Sequence, residues 1–522
     1  MDDQDLIIAT RSGDVQGVRE RGIATFRGIP YGAATSGANR FRPPRPPEPW
    51  TGVRAATRYG ATAVQLRPRI DPERPPDPLS ELAISVGEDC LMLNVWSPDP
   101  RGKKPVMVWL HGGGFAVGSA SSPLYAGTQL ALRGDVVVVS VNHRLGLLGF
   151  MQLEDCYGES YAGSGNAGML DLVAALQWVR DNIERFGGDP GCVTIFGESG
   201  GGGKVSALLT MPAARGLFHR AVIQSGPPFQ FPSRETANSV TAKVLAKLGI
   251  HERDGSARLH ELPFEALLDA QVALGAGGGP SPGGMSFAPT VDGRVLFDWP
   301  EPALRAGASA DVPLLIGTNL DEARFMMMMH PQLRKEPPEL SPEQLLERVT
   351  PGCDRNADRL IASYRAFYPK LSRFDLLLKI ESEQFRVRSI RLAEAKLAGG
   401  GAPVFMYLFS FVTPRLARYG AYHGLEIPFV FDTVSTVPHV AADPDAEALV
   451  ARMLRTWVEF ARTGRPGAEG TPRWVPYNDS ERATMIIDRQ WMIEHDPLRD
   501  ERAAWKDVPT GPTSRPWSRV VA

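Results

Sequence analysis

The chain has 522 residues, enough for one large domain or about three smaller ones, and only the placement of its chemistry can decide between them. Its hydrophobic fraction of 43%, charged fraction of 22% and net charge of -2 describe a soluble globular protein without the basic field of a nucleic-acid binder. No apolar run approaches the length of a membrane span, and the acidic start Met1-Asp2-Asp3-Gln4-Asp5 is unlike a basic secretory signal, so a cytoplasmic protein is expected.

The segment from Leu6 to Phe26 alternates short apolar runs with Ser12-Gly13 and Arg21-Gly22, which predicts a small antiparallel sheet at an edge. Proline is too dense from Arg42 to Pro49 and from Arg67 to Pro78 for helix or central strand, so both read as surface loops. Strands and helices then alternate: strands at Leu91 to Trp96, Val106 to Leu110 and Val136 to Val141, a helix from Leu170 to about Phe186, and a strand from Val193 to Phe196. Such alternation implies a large, mostly parallel sheet flanked by helices.

From Glu235 to Gly279 the pattern is mostly helical and runs into the glycine- and proline-rich Gly275 to Gly284, a cap-like insertion. Strands return at Val312 to Ile316 and Val404 to Phe411, and between them Ser341-Pro342-Glu343-Gln344 reads as a capping box opening a helix. A last long helix starts at Asp443-Pro444, presents Met453, Leu454, Trp457, Val458 and Ala461 on one face, and stops at Gly464.

Within this frame, Val193-Thr194-Ile195-Phe196 leads into Gly197-Glu198-Ser199-Gly200-Gly201, a strand followed by a serine between glycines and then by a helix-compatible segment. The tight, strained turn of a nucleophile elbow demands small neighbours, so the pattern marks Ser199 as a nucleophile. Gly158-Glu159-Ser160 repeats the tripeptide without the preceding strand or following glycine, and Ser160 reads as a loop serine. A serine hydroxyl needs a base, an acid to orient that base, and donors for the oxyanion. His111-Gly112-Gly113-Gly114-Phe115 directly follows the strand Val106 to Leu110, so the N–H groups of Gly113 and Gly114, with that of Gly200, are the candidate oxyanion donors. On an elbow of this kind the acid and then the histidine follow the serine in the chain. Asp321-Glu322 lies just past the strand at Val312 to Ile316, and chemistry alone does not choose between the two carboxylates. His423, between Gly420 and Gly424 after the strand Val404 to Phe411, is the best-placed base; His439 and His495 lack such a position, and His219, His251 and His260 read as surface or core residues.

These residues resemble the type-B carboxylesterases, the branch of the α/β-hydrolases that includes bacterial p-nitrobenzyl esterase-like enzymes and cholinesterases. The resemblance runs through Phe26-Arg27-Gly28-Ile29-Pro30-Tyr31, Glu88-Asp89-Cys90-Leu91, His111 to Phe115, Asn142-His143-Arg144-Leu145-Gly146 and Phe186-Gly187-Gly188-Asp189-Pro190. It continues through the elbow and Gln224-Ser225-Gly226. It implies a single α/β-hydrolase domain over residues 1–522, with Glu322 of Asp321-Glu322-Ala323 as the acid and His423 of His423-Gly424-Leu425-Glu426 as the base. The activity it implies is hydrolysis of small carboxylic esters through an acyl-enzyme, without metal or organic cofactor, by a monomer or homodimer. The same residues acting on amides, carbamates or thioesters, and a non-catalytic adhesion or binding protein, are the alternatives.

The chain departs from the family pattern at four places. Gly200 stands for a common alanine, Lys204 for a small residue, Ala323 for a glycine and His143 for a tyrosine. Cys90 matches a cysteine that secreted relatives place in a disulfide, but no cysteine precedes it here, as a reducing compartment would allow. With Cys156, Cys192 and Cys353 it shows no metal-ligand spacing. Phe229, Phe231 and Met327, within the run Met326 to Met329, are candidate pocket residues, with plain core packing as the alternative role.

Overall fold

The computed structural model describes residues 6–66, 85–226, 231–251, 255–275 and 287–509. The apolar runs of the sequence form the middle of a large sheet, and their alternate side chains divide between its two faces. On the strand Lys104–Leu110, Val106, Val108 and Leu110 enter one core while Met107 and Trp109 enter the other. Val137, Val139 and Val141 part from Val138 in the same way, because successive side chains of a strand point to opposite faces. Both faces are covered, as a parallel sheet requires.

In chain order the strands are β1 (Ile7–Ala9), β2 (Asp14–Gln16), β3 (Val18–Glu20), β4 (Ile23–Pro30), β5 (Val53–Ala55), β6 (Met92–Ser97) and β7 (Lys104–Leu110). They continue as β8 (Val137–Val141), β9 (Gly188–Glu198), β10 (Arg220–Gln224), β11 (Leu314–Asn319), β12 (Val404–Phe409), β13 (Ala483–Ile487) and β14 (Met492–His495). Among the described residues the main sheet has eleven strands in the order β14-β13-β12-β11-β10-β9-β7-β8-β6-β4-β3. It is parallel from β13 to β8 and antiparallel at both ends.

The small N-terminal sheet expected from the sequence is present, and it differs in its pairing. The segment does not make one antiparallel sheet: β1 and β2 pair antiparallel, β5 joins β2 in parallel, and β3 and β4 leave to form the edge of the main sheet. On β4, Phe26 and Ile29 are fully buried in the main core. The strands β10, β13 and β14 were not among those expected from sequence.

Helices follow their local signals closely. The helix Pro342–Cys353 has its reciprocal capping box: Gln344 N donates to Ser341 Oγ at 3.2 Å, and Ser341 N donates to Gln344 Oε1 at 2.8 Å. The helix Ala446–Thr463 buries Met453, Leu454, Trp457, Val458 and Ala461 and ends on left-handed Gly464. The insertion after β10 contains the helices Arg234–Lys247, Ala257–Glu261 and Phe264–Ala273, while most of its glycine-rich end lies outside the described residues. The proline-rich stretch from Arg67 to Pro78 also lies outside them.

A buried ion pair fixes the loop after β8. Arg144 donates from Nη2 to Asp171 Oδ1 at 2.6 Å and from Nε to Asp171 Oδ2 at 2.8 Å, and its own N–H adds a third bond to that carboxylate. Asp171 belongs to the helix Ala167–Asn182, so the pair locks that helix to the sheet beside the oxyanion candidates.

Candidate active site

Five neighbouring parallel strands, in the order β12-β11-β10-β9-β7, end on the same edge of the sheet. The loops leaving that edge carry His423 after β12, Glu322 after β11, Ser199 after β9, and Gly113 and Gly114 after β7. Sites in open α/β sheets gather at such carboxyl ends.

Ser199 is the hinge between β9 and the helix Gly200–Leu208, with φ 56° and ψ −123°. Few non-glycine residues hold such angles, and here two backbone bonds sustain them: Ser199 N donates to Gln224 O at 2.9 Å, and Ser199 O accepts from Gly203 N at 3.0 Å. Ser199 is partly exposed between buried Glu198 and buried Gly200. Ser160, by contrast, sits exposed in a single short turn.

The turn after β7 needs its glycines. Gly113 has φ 93°, and a Cβ there would stand 2.0 Å from Val117 O. Gly114 also has positive φ, at 58°. At Gly200 a Cβ would come 2.6 Å from Gly114 N, so the start of the serine's helix and the glycine turn are in direct apposition. An alanine at this position would force the two backbones apart.

The structure separates the two carboxylates that sequence chemistry left equivalent. Glu322 is buried; its Oε2 lies 2.5 Å from Nδ1 of His423, and its Oε1 accepts from Asn319 N at 2.8 Å. Asp321 holds the histidine loop instead: Asp321 N donates to Ala421 O at 3.0 Å, and Ala421 N donates back to Asp321 Oδ2 at 3.2 Å. Asn319 Nδ2 adds a bond to Tyr422 O at 2.7 Å, so the end of β11 grips the two residues that lead into His423.

Several residues around the imidazole had no assigned role in the sequence. Glu198 Oε1 approaches His423 Nε2 to 3.1 Å, an ion-pair contact and not an aligned hydrogen bond. Glu426, fully buried, accepts from Gln224 Nε2 at 3.0 Å and Asn319 Nδ2 at 2.7 Å. Burial pushes the Glu426 carboxyl up, as does neighbouring Glu322. Burial alone would pull His423 down, but the charges of Glu198 and Glu322 outweigh it and hold the imidazole above its ordinary range. Phe325 and Phe385 stand against the ring at 5.9 and 5.2 Å between centroids. Both glutamates lay in plain view, in Gly197-Glu198-Ser199 and His423-Gly424-Leu425-Glu426, but no spacing rule assigns either to the histidine.

Of the pocket candidates, Phe231 is buried and packs edge-on against Phe115 at 6.0 Å, beside the glycine turn. Met327 is buried in the core on the opposite face of the sheet from Phe231, within reach of Arg324, whose Nη1 lies 3.8 Å from its sulfur. Its neighbour Phe325 faces His423. Phe229 lies outside the described residues. His143, the departure from tyrosine, is buried and stacks on His111 at 5.0 Å. No helix is long and apolar enough to cross a membrane, and no three potential ligands gather as a metal site, among the described residues.

The model of the Carboxylesterase family matches residues 4–505. The chain is 37% identical to the para-nitrobenzyl esterase of Bacillus subtilis (strain 168), over 95% of this chain and 97% of that protein. It is 34% identical to carboxylesterase 4A of Bos taurus, over 95% of this chain and 94% of the relative. A crystal structure of a Geobacillus stearothermophilus carboxylesterase superposes with a TM-score of 0.82 at 39% identity, covering 96% of this chain and all of that one. The sheet, its helices and these likenesses agree: this chain belongs to the carboxylesterase family of α/β-hydrolases and is a carboxylic ester hydrolase.

Proposed function

We propose that Ser199 is the nucleophile of this hydrolase, His423 its general base and acid, and Glu322 the group that orients His423. The observation that carries the reading is the 2.5 Å contact of Glu322 Oε2 with His423 Nδ1, on loops that leave the same sheet edge as strained Ser199. In this mechanism His423 takes the hydroxyl proton as Ser199 attacks the ester carbonyl, and the N–H groups of Gly113, Gly114 and Gly200 bind the oxyanion. Collapse expels the alcohol with a proton from His423, and water then cleaves the acyl-enzyme by the same steps. Residues from 113 to 423 act together, which supports one catalytic domain.

The substrates we propose are small aryl or benzyl esters with short to medium acyl chains. The likeness to a para-nitrobenzyl esterase supports this, as does aromatic packing at Phe115, Phe231, Phe325 and Phe385 around the site. The four free thiols support a cytoplasmic location. A fluorophosphonate probe labels Ser199 in the wild type if the reading is right, and the probe fails on Ser199→Ala. A Ser199→Ala protein that still turns over p-nitrophenyl butyrate at the wild-type rate refutes it.

A further inference from the structure

The helix that follows Ser199 carries a lysine with no exposed surface. Lys204 is completely buried, and its Nζ donates to the carbonyl of His111 at 2.7 Å. His111 is the residue that opens the glycine turn. The ammonium also lies 5.5 Å from the ring centroid of Phe115, the residue that closes the turn. Lys204 therefore touches both ends of the segment that carries the proposed oxyanion donors.

The helix reaches this position by close contact. A Cβ on Gly201, three residues before Lys204, would stand 2.0 Å from Leu110 O and 3.1 Å from His111 O. Residues three apart share a helix face, so the face bearing Lys204 is pressed onto the end of β7. Side chains of a helix lean toward its N-terminus, which carries the ammonium back toward Ser199.

What surrounds the ammonium is equally informative. The titratable groups facing it are His111 and His143, stacked at 5.0 Å with 16° between their planes. Each has Nδ1 at 2.8 Å from a backbone carbonyl, Gly112 O and Arg144 O respectively, so Nδ1 carries the hydrogen in both. Burial, and then the Lys204 charge, pull both imidazoles well below their ordinary range, leaving them neutral. Among the described residues no carboxylate pairs with Lys204, and burial alone pulls its amine down to about 7. Its charged form is costly without a countercharge, and it stands behind the turn proposed to receive a negative charge.

We propose that Lys204 is a positioning residue for the oxyanion hole: through the His111 carbonyl it holds the His111 to Phe115 turn in register with the helix Gly200–Leu208, and its charge is countered when the tetrahedral oxyanion forms. The proposal rests on the reading of Ser199 as nucleophile. The oxyanion gains from the fixed cation only in the transition state, so the effect falls on kcat and spares ground-state binding.

The test is Lys204→Met, which keeps length and removes the charge, assayed with p-nitrophenyl butyrate. The expected result is a fall in kcat on the order of ten- to a hundredfold with KM within about threefold. Affinity for an alkyl trifluoromethyl ketone, whose serine adduct carries an oxyanion, falls by the same factor as kcat/KM. The melting temperature stays level or rises, because an unpaired buried charge has been replaced by an apolar side chain. Lys204→Gln gives the same split of kcat from KM if the methionine variant does not fold. Wild-type kcat in a folded variant, a loss carried equally by KM, a loss explained by a lowered melting temperature, or failure of both variants to fold overturns the proposal. A fluorophosphonate probe separates the two readings: an unlabelled wild type refutes Ser199 as nucleophile, whereas a labelled wild type with unimpaired variants refutes Lys204 alone.

Discussion

The carboxylate of Glu198 stands 3.1 Å from Nε2 of His423, on the other side of the ring from the 2.5 Å contact of Glu322 with Nδ1. One imidazole thus lies between two buried carboxylates, and its proton affinity depends on both. Burial pushes the Glu198 carboxyl up, and the charges of Glu198 and Glu322 raise His423 against its own burial.

Glu198→Gln should move the acid limb of the pH–rate profile. A general base works only when neutral, and a neighbouring carboxylate favours the charged imidazolium, so the wild-type limb lies high. Removing the charge lowers the histidine's proton affinity, and the acid limb of kcat/KM shifts down by about one pH unit. The profile for p-nitrophenyl butyrate checks this, and a limb that stays in place or moves up contradicts it.

Glu322→Gln keeps the size of the side chain but removes the charge 2.5 Å from His423 Nδ1 that is proposed to orient the imidazole. The expected loss in kcat is on the order of a thousandfold to ten-thousandfold, with the fold retained. Circular dichroism beside steady-state kinetics tests it. A tenfold loss or less would assign the orienting role elsewhere.

Gly113→Ala places a methyl group where Val117 O stands, at a backbone angle alanine resists. The turn must open, and kcat should fall about a hundredfold or more while KM changes little. Matched kinetics of the variant and wild type decide the matter, and unchanged kcat would remove Gly113 from the oxyanion hole.

Asp171→Ala leaves Arg144 charged and buried without its partner. Breaking such a pair costs about 3–5 kcal/mol, enough to lower the urea midpoint clearly. Equilibrium unfolding measures it, and an unchanged midpoint would show that the pair adds nothing to stability.

Much of this molecule was legible in its sequence because local chemistry and global placement coincide there. The apolar runs ending at Leu110 and Phe196 are central strands, and the glycine-flanked residues after them must be turns at a sheet edge. The capping box at Ser341 and the stop at Gly464 are local signals that tertiary contacts reinforce. The choice between Asp321 and Glu322 was not local: it depends on a loop about a hundred residues away, and only the resemblance pointed to Glu322 before the geometry did. The positions of Glu198 and Glu426 around the imidazole were hidden for the same reason. The N-terminal strands were read as one sheet because alternation reveals a strand and not its partner.

The helix behind Ser199 opens with four consecutive glycines, Gly200 to Gly203. Each costs about 1 kcal/mol of helix propensity relative to alanine, so this segment has little tendency to coil by itself. It is held helical by what it lies against: the ends of β7 and β10 and the ring of Phe115. The elbow is therefore expected to form only once the sheet has closed around it, so that a partly folded chain would hold strands and outer helices before it holds the turn at Ser199. On dilution from denaturant, ellipticity should return before esterase activity, making turnover the last property this protein acquires as it folds.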